Sequence, residues 1–225
     1  MKTTKTIRIN HFRTGQPLYE GAFHTTAQAV EAAISERVSL AFADLRHANL
    51  INAELDGAIL DSAQLGGANL MGANLSEASL RRTCFQDALL HSTVLCDSII
   101  ENADFDGALF GATDVAGARL RHCLFTTLSA FDINFNDAAV LDANRFRAAQ
   151  DYLCRFSRPP LVIKGLRHIV ACLDHKMLIG FHALAPESPD IPAHTPLQRF
   201  IQSHDSLLQE LWSAHNSTPL TLRAA

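Results

Sequence analysis

This sequence is poor in the features that announce chemistry. It has no glycine-rich phosphate loop, no HExxH, no GxSxG and no CxxC. Those gaps remove the common signatures of nucleotide binding, zinc hydrolysis, serine-esterase action and thiol redox exchange. Its five cysteines (84, 96, 123, 154 and 172) form no close pair and leave an odd count. That pattern reads as reduced thiols in the cytoplasm, not as a disulfide framework. No stretch approaches the roughly 18 apolar residues of a membrane span, and "MKTTKTIRIN" has no apolar run after its lysines. Neither a membrane partner nor a secretory leader is expected. Aromatics are only 7% against 48% hydrophobic residues, so the core is built mainly from Leu and Ala. The eleven histidines fall at no metal-ligand spacing, including His168, His175, His182, His194, His204 and His215. Cys154 or Cys172 beside a histidine is a conceivable nucleophile pair, and a buried structural thiol is the plainer reading. The expectation is no catalytic residue, no metal, no cofactor and no enzyme.

The net charge of −4 is unevenly placed. Residues 36–140 hold 14 Asp/Glu against 6 Lys/Arg, while both flanking segments are mildly basic. An acidic middle repels phosphates, so direct nucleic-acid binding is not expected.

What the chain does have is a period of five. From Leu40 to Phe125 every fifth residue is Leu, Ile, Val or Phe, eighteen positions in all. Two residues before each stands a small side chain, Ala in twelve cases and Thr, Ser or Cys in five, with Val38 the exception. A step of five winds such residues around every face of a helix and alternates them across a strand. A chain that turns a corner every five residues buries them all. Four sides make a twenty-residue square coil, stacked at the strand spacing of about 4.8 Å.

The stretches "ADLRHANLINAEL" and "GGANLMGANL" resemble the A(D/N)LXX pattern of the pentapeptide-repeat proteins. The resemblance covers residues 38–125 and continues loosely to about 140. It implies an all-β solenoid, a right-handed quadrilateral β-helix. After Phe125 the register loosens at Ala130 and Phe131 and resumes at Phe135 and Val140, which predicts one irregular coil.

Open solenoid ends need caps. Residues 1–37 are expected to be an N-terminal cap. In it "TIRINHFRTGQPLYEGAF" reads as a hairpin turning at Thr14–Pro17. "TTAQAVEAAISER" reads as a helix capped by Thr25 or Thr26, with Ala27, Val30, Ala33 and Ile34 on one face. This lead-in resembles that of pentapeptide proteins carried by phages and prophages. Residues 38–140 form the β-helix. Residues 141–225 read as a small α+β C-terminal domain. In it "DANRFRAAQDYLCRF" is an amphipathic helix with Phe146, Ala149, Leu153 and Phe156 on one side, stopped by Pro159 and Pro160. "LVIKGLRHIVACL" and "KMLIGFHAL" are strands turning at Asp174-His175, and "ESPDIPAH" is a loop. Helices then run from Thr195 and Pro196 to about His215.

The coil assigns outer residues to sides. One side carries Glu54, Asp56, Glu77, Asp97, Asp114 and Asp137 without Lys or Arg, an acidic stripe for a basic partner. Its counterpart carries Asp44, Asp87, Asp104 and Asp106 against Arg46. A mixed-basic side collects Arg81, Arg82, Arg119 and Arg121 with Asp61 and Glu101. A greasy side presents Ile51, Met71, Leu89 and Leu109 as an apolar docking surface, for this chain's own C-terminal domain or a second copy. Leu207, Leu211 and Trp212 are candidates for self-association into a homodimer. Turn chemistry and solubility also explain part of the acid, since Asp44, Asp104 and Asp114 occupy the repeat's own Asp/Asn slot.

The resemblance to quinolone-resistance pentapeptide proteins implies a non-enzymatic DNA mimic in the bacterial cytoplasm. Its protein partner would be a DNA-handling enzyme, a gyrase-like topoisomerase or an antiphage nuclease or defence complex, bound and inhibited. This sequence differs in having no loop inserted between Leu40 and Phe125, mostly Leu at the coil centre, and a sizeable C-terminal domain. The competing reading is a rigid scaffold or adaptor whose C-terminal domain makes the specific contact or dimerises.

Overall fold

In a computed structural model the described residues are 4–174, 176–184 and 201–215. They belong to two compact units, Met1–Arg145 and Phe146–Ala225.

The first unit opens with an antiparallel hairpin, Lys5–Asn10 against Pro17–Phe23. A helix follows over Thr26–Ser35, begun by Thr25, whose hydroxyl accepts the Gln28 N–H at 3.2 Å. The helix buries Ala29, Val30 and Ala33; Ala29 takes the inner place that the sequence pattern assigned to Ala27. Both elements satisfy backbone groups of the first coil. Phe12 N–H donates to the Phe42 carbonyl and Asp44 N–H to the Asn10 carbonyl, each at 2.8 Å. Glu31 takes the Glu54 N–H at 3.1 Å.

From residue 40 onward the chain pairs with itself in parallel at a spacing of twenty residues. Four ladders are visible among the described residues. They run through Asp44, Gln64, Cys84 and Asp104; Asn49, Asn69 and Leu89; Glu54, Asn74, Val94 and Asp114; and Ile59, Ser79 and Ile99. Short parallel strands extend them, such as Leu89–His91 on Leu109–Gly111 and Ile99–Glu101 on Arg119–Arg121. The result is a β-helix made of several small parallel sheets. All eighteen large apolar residues of the five-residue period are buried, none more than 2% exposed. Phe85, Phe105 and Phe125 stack one above another at 4.9 and 5.2 Å.

Where Thr replaces Ala in the inner column, its hydroxyl finds a carbonyl of the preceding coil. Thr83 donates to Leu60 at 2.9 Å, Thr93 to Leu70 at 2.8 Å and Thr113 to Leu90 at 2.7 Å. A hydroxyl buried there needs such an acceptor.

The corners share one conformation. Every fifth residue from Arg37 to His122 has a positive φ, between 51° and 70°. Only five of them, Gly57, Gly67, Gly72, Gly107 and Gly117, are glycines. The expected irregularity is present as two 3-10 turns, Leu128–Asp132 and Phe135–Asp137, which bury Ala130, Phe131 and Phe135. Pairing then resumes one residue late, with Val140 beside Arg119.

The helix expected over residues 142–156 is not formed. Strands Asn144–Arg147 and Leu153–Phe156 flank a turn at Ala149–Asp151 instead. Burial there has period two: Asn144 and Phe146 are buried on one strand, Cys154 and Phe156 on the other. Gln150, at φ 59°, breaks any helical path. Asn144 makes the segment extended, taking the Cys123 N–H at 3.0 Å and donating to the Leu120 carbonyl at 2.9 Å.

The second unit holds a four-stranded antiparallel sheet in chain order, Leu161–Ile163, Val170–Cys172, Met177–Ile179 and His182–Leu184. The helix Asp205–His215 packs Leu208 and Trp212 against Val170, Cys172, Met177 and Ile179. The expected loop "ESPDIPAH" and the Thr195 cap lie outside the described residues.

Candidate functional site

The twenty-residue pairing turns single letters into columns. One side of the coil is "AELDG", "ANLSE", "TVLCD" and "TDVAG" in successive turns, residues 53–57, 73–77, 93–97 and 113–117. Glu54, Asp56, Glu77, Asp97 and Asp114 project from it, and all five are exposed, as is Asp137 beyond. Glu54 and Asp114 share one ladder through Asn74 and Val94. Asn74 Nδ2 donates to the Glu54 carboxylate at 3.1 Å. Asp114 accepts the Ala116 N–H at 3.0 Å, and Asp137 accepts from Asn134 at 2.7 Å. Glu77 and Asp97 stand one above the other at the corner, with φ of 55° and 56°. Among the described residues no Lys or Arg pairs with any of the six.

The mixed-basic side behaves differently. Asp61, Arg81, Glu101 and Arg121 are separated by twenty residues and stack as an alternating column. Arg81 lies 3.8 Å from Asp61 and 3.3 Å from Glu101, and Arg121 lies 3.6 Å from Glu101. These cations are largely spent on neighbours of their own column. The pairs are part-exposed, so each adds little stability. Their consequence is electrostatic: this column neutralises itself, with Arg82 and Arg119 left over as exposed cations on the side, whereas the carboxylates of the acidic side have no such counter-charge.

The second acidic side is intermediate. Arg46 clasps Asp44 with two bonds of 2.8 and 2.7 Å, which holds the Asp44 carboxyl below its ordinary pKa. Asp104 takes Gln86 at 2.8 Å, and Asp106 takes the Thr126 hydroxyl at 2.9 Å. Asp87 is exposed.

The greasy side reads "ANLIN", "ANLMG", "ALLHS" and "ALFGA", with no charged residue in four turns. Ile51, Met71 and Leu109 are 44%, 41% and 42% exposed, and Leu89 is half-buried. They form two adjoining rows, since Leu89 pairs with Leu109 while Ile51 and Met71 follow Asn49 and Asn69.

Of the three self-association candidates, Trp212 is 1% exposed and sits in the core of its own unit, with Leu211 packed against it. Burial removes Trp212 from any surface contact; Leu207 is half-buried. The sequence pattern passed over Ile59, which is 48% exposed on the ladder side. It also passed over the stack of His11 on Phe42 at 5.2 Å, with Arg13 over the Phe42 ring at 5.9 Å. Phe42 carries a bulky side chain at φ 63°, and that was the missed signal.

The thiols are poor nucleophiles. Burial pushes Cys123 up to about 12, and Cys154 and Cys172 up to about 11. Among the described residues no group of three His, Cys, Asp or Glu could hold a metal ion. Among them, too, no helix is long and apolar enough to cross a membrane.

Residues 39–76 and 73–111 match the model of the pentapeptide repeats family, in eight copies. Among solved structures the chain is similar to a pentapeptide repeat protein of the Arabidopsis thaliana thylakoid lumen. That match has 28% identity over 36% of this chain and 63% of that one, with a TM-score of 0.27. It is similar also to a pentapeptide repeat protein from Nostoc Pcc 7120, at 26% identity over 44% of this chain and 80% of that one, TM-score 0.31. A third is a plasmid-mediated fluoroquinolone resistance protein, at 15% identity over 40% and 66%, TM-score 0.24. The chain thus spans less than two thirds of the Arabidopsis relative. No curated protein matches it. Over residues 39–111, then, the chain carries eight copies of the repeat that the pentapeptide repeats family model describes.

Proposed function

We propose that this is a non-enzymatic protein-binding protein whose coil imitates the charge of DNA toward a cationic, DNA-handling enzyme. In this reading the β-helix is right-handed and four-sided, and the hairpin and first helix close its lower end. One observation carries it: Glu54, Asp56, Glu77, Asp97 and Asp137, exposed carboxylates on one side of the coil, meet no Lys or Arg among the described residues, while the opposite charge column pairs with itself. An unpaired row of like charge costs self-repulsion unless a partner uses it. Asp44, Asp104 and Asp114 belong to the repeat's own slot and add to the field without being evidence for it.

The second unit favours one other reading. Its own core of Val170, Met177, Ile179, Leu208 and Trp212 is more than a solenoid cap requires, so it suits an adaptor contact.

The test is Glu54→Lys, Asp56→Lys, Glu77→Lys and Asp97→Lys together, with pull-down from bacterial lysate at low and high salt. The mimic reading expects a salt-released nucleic-acid enzyme that the variant no longer captures. Capture unchanged by the four lysines sinks it and leaves the adaptor.

A further inference from the structure

We infer that the uncharged side of the coil, with the carboxylates at its two margins, is a docking surface for a basic amphipathic helix lying along the coil axis. The inference refines the protein-binding reading above by naming the segment of the partner that makes contact. Residues 48–52, 68–72, 88–92 and 108–112 hold no Asp, Glu, Lys or Arg, the one such side of the coil. Ile51, Met71 and Leu109 project from it and are each more than 40% exposed. Acid flanks it on both sides. Asp87 stands at the corner before it and Asp106 one residue ahead of that corner in the next coil, and Glu54 and Asp114 open the side after it. An apolar centre with a charged rim is the anatomy of a specific interface, not of a solvated face. Its complement is an apolar stripe edged by Lys and Arg.

Spacing selects a helix over a strand. Successive coils rise about 4.8 Å, and successive helical turns about 5.4 Å. A helix laid along the axis therefore sets one apolar residue per turn against one coil. Over four coils the mismatch accumulates to roughly 2 Å. An extended strand puts same-face side chains nearly 7 Å apart and falls out of step after one coil. Anchors at i, i+4, i+7 and i+11 would meet Ile51, Met71, Leu89 and Leu109, and cations on the helix flanks would meet the carboxylates. Charge alone does not demand this arrangement, because the greasy side contributes none.

The experiment uses the full chain and two labelled Leu/Lys peptides of roughly four helical turns. They have one composition, in one case with leucines in a single stripe and in the other scattered around the helix. The striped peptide is expected to bind at least about tenfold more tightly by fluorescence anisotropy. Ile51→Ser with Met71→Ser should erase that preference and leave the weak binding of the scattered peptide unchanged. Leu109→Ser, at the far end, should reduce it by a smaller factor; thermal melting checks that both variants fold. Equal binding of the two peptides, or a preference that survives in the serine variant, overturns the inference. The two readings fail separately: the four-lysine variant lowers affinity for both peptides alike, whereas the serine variant acts on the preference only.

Discussion

The carboxylate of Asp97 occupies the space that a side chain on Gly117 would need. A Cβ built on Gly117 would collide with Asp97 Oδ1, and both residues have positive φ, 56° and 69°. Asp87 and Gly107 repeat the relationship, as do Asn52 and Gly72. By contrast nothing lies within 4 Å of a Cβ on Gly57, whose φ is 65°. Gly57→Ala should therefore cost only the backbone strain, about 1 kcal/mol. Gly117→Ala should cost more, and adding Asp97→Ala should recover the difference. Chemical denaturation of the three variants measures this coupling. Simple additivity would show that the side chain of Asp97 does not hold that space.

The inner hydroxyls provide a second test. Thr93→Val keeps the volume and removes the bond to the Leu70 carbonyl. Stability should fall by about 1 kcal/mol. The Leu70 carbonyl also takes the Ala73 N–H at 2.9 Å, so it is not left orphaned and the loss stays at that level.

Glu101 stands between two guanidinium groups, at 3.3 Å from Arg81 and 3.6 Å from Arg121. Glu101→Gln should change the melting temperature little, since such part-exposed pairs contribute under about 1 kcal/mol. It should instead release positive charge on that side and weaken retention on an anion-exchange column less than Glu54→Gln does. Equal effects would show that Arg81 and Arg121 do not neutralise Glu101.

Alkaline pH should destabilise the fold through its buried thiols. Cys123 has a native pKa of about 12 against an ordinary value near 9. Below pH 9 the thiol is protonated in both states and nothing is lost. Above it the unfolded chain releases its proton first, so stability falls as pH rises from 9 toward 12. Cys123→Ala should flatten that part of a melting-temperature profile. At pH 8 in the folded protein Cys123, Cys154 and Cys172 should resist iodoacetamide, and all three should react after unfolding.

Much of the fold was legible because the inner columns obey one rule without interruption. Leu40 through Phe125 repeat every five residues, and a period of five has few structural solutions. The segment 142–156 was misread because Phe146, Leu153 and Phe156 fit a helical stripe as well as two short strands; the side chain of Asn144, bonded to Leu120 and Cys123, decides against the helix. Trp212 illustrates the same limit. Its letter marks an apolar anchor, and whether that anchor faces a partner or its own core depends on the sheet it meets.

The columns themselves follow from sequence alone, because register in a stacked coil is arithmetic. Glu77 must sit beneath Asp97, and Asp61 beneath Arg81, once the coil has twenty residues. What the tertiary structure decided is which of those neighbours cancel. Arg81 reaches both Asp61 and Glu101, and no Lys or Arg among the described residues reaches Glu77 or Asp97. That difference rests on side-chain reach over a few ångströms, a scale that spacing in a sequence does not resolve.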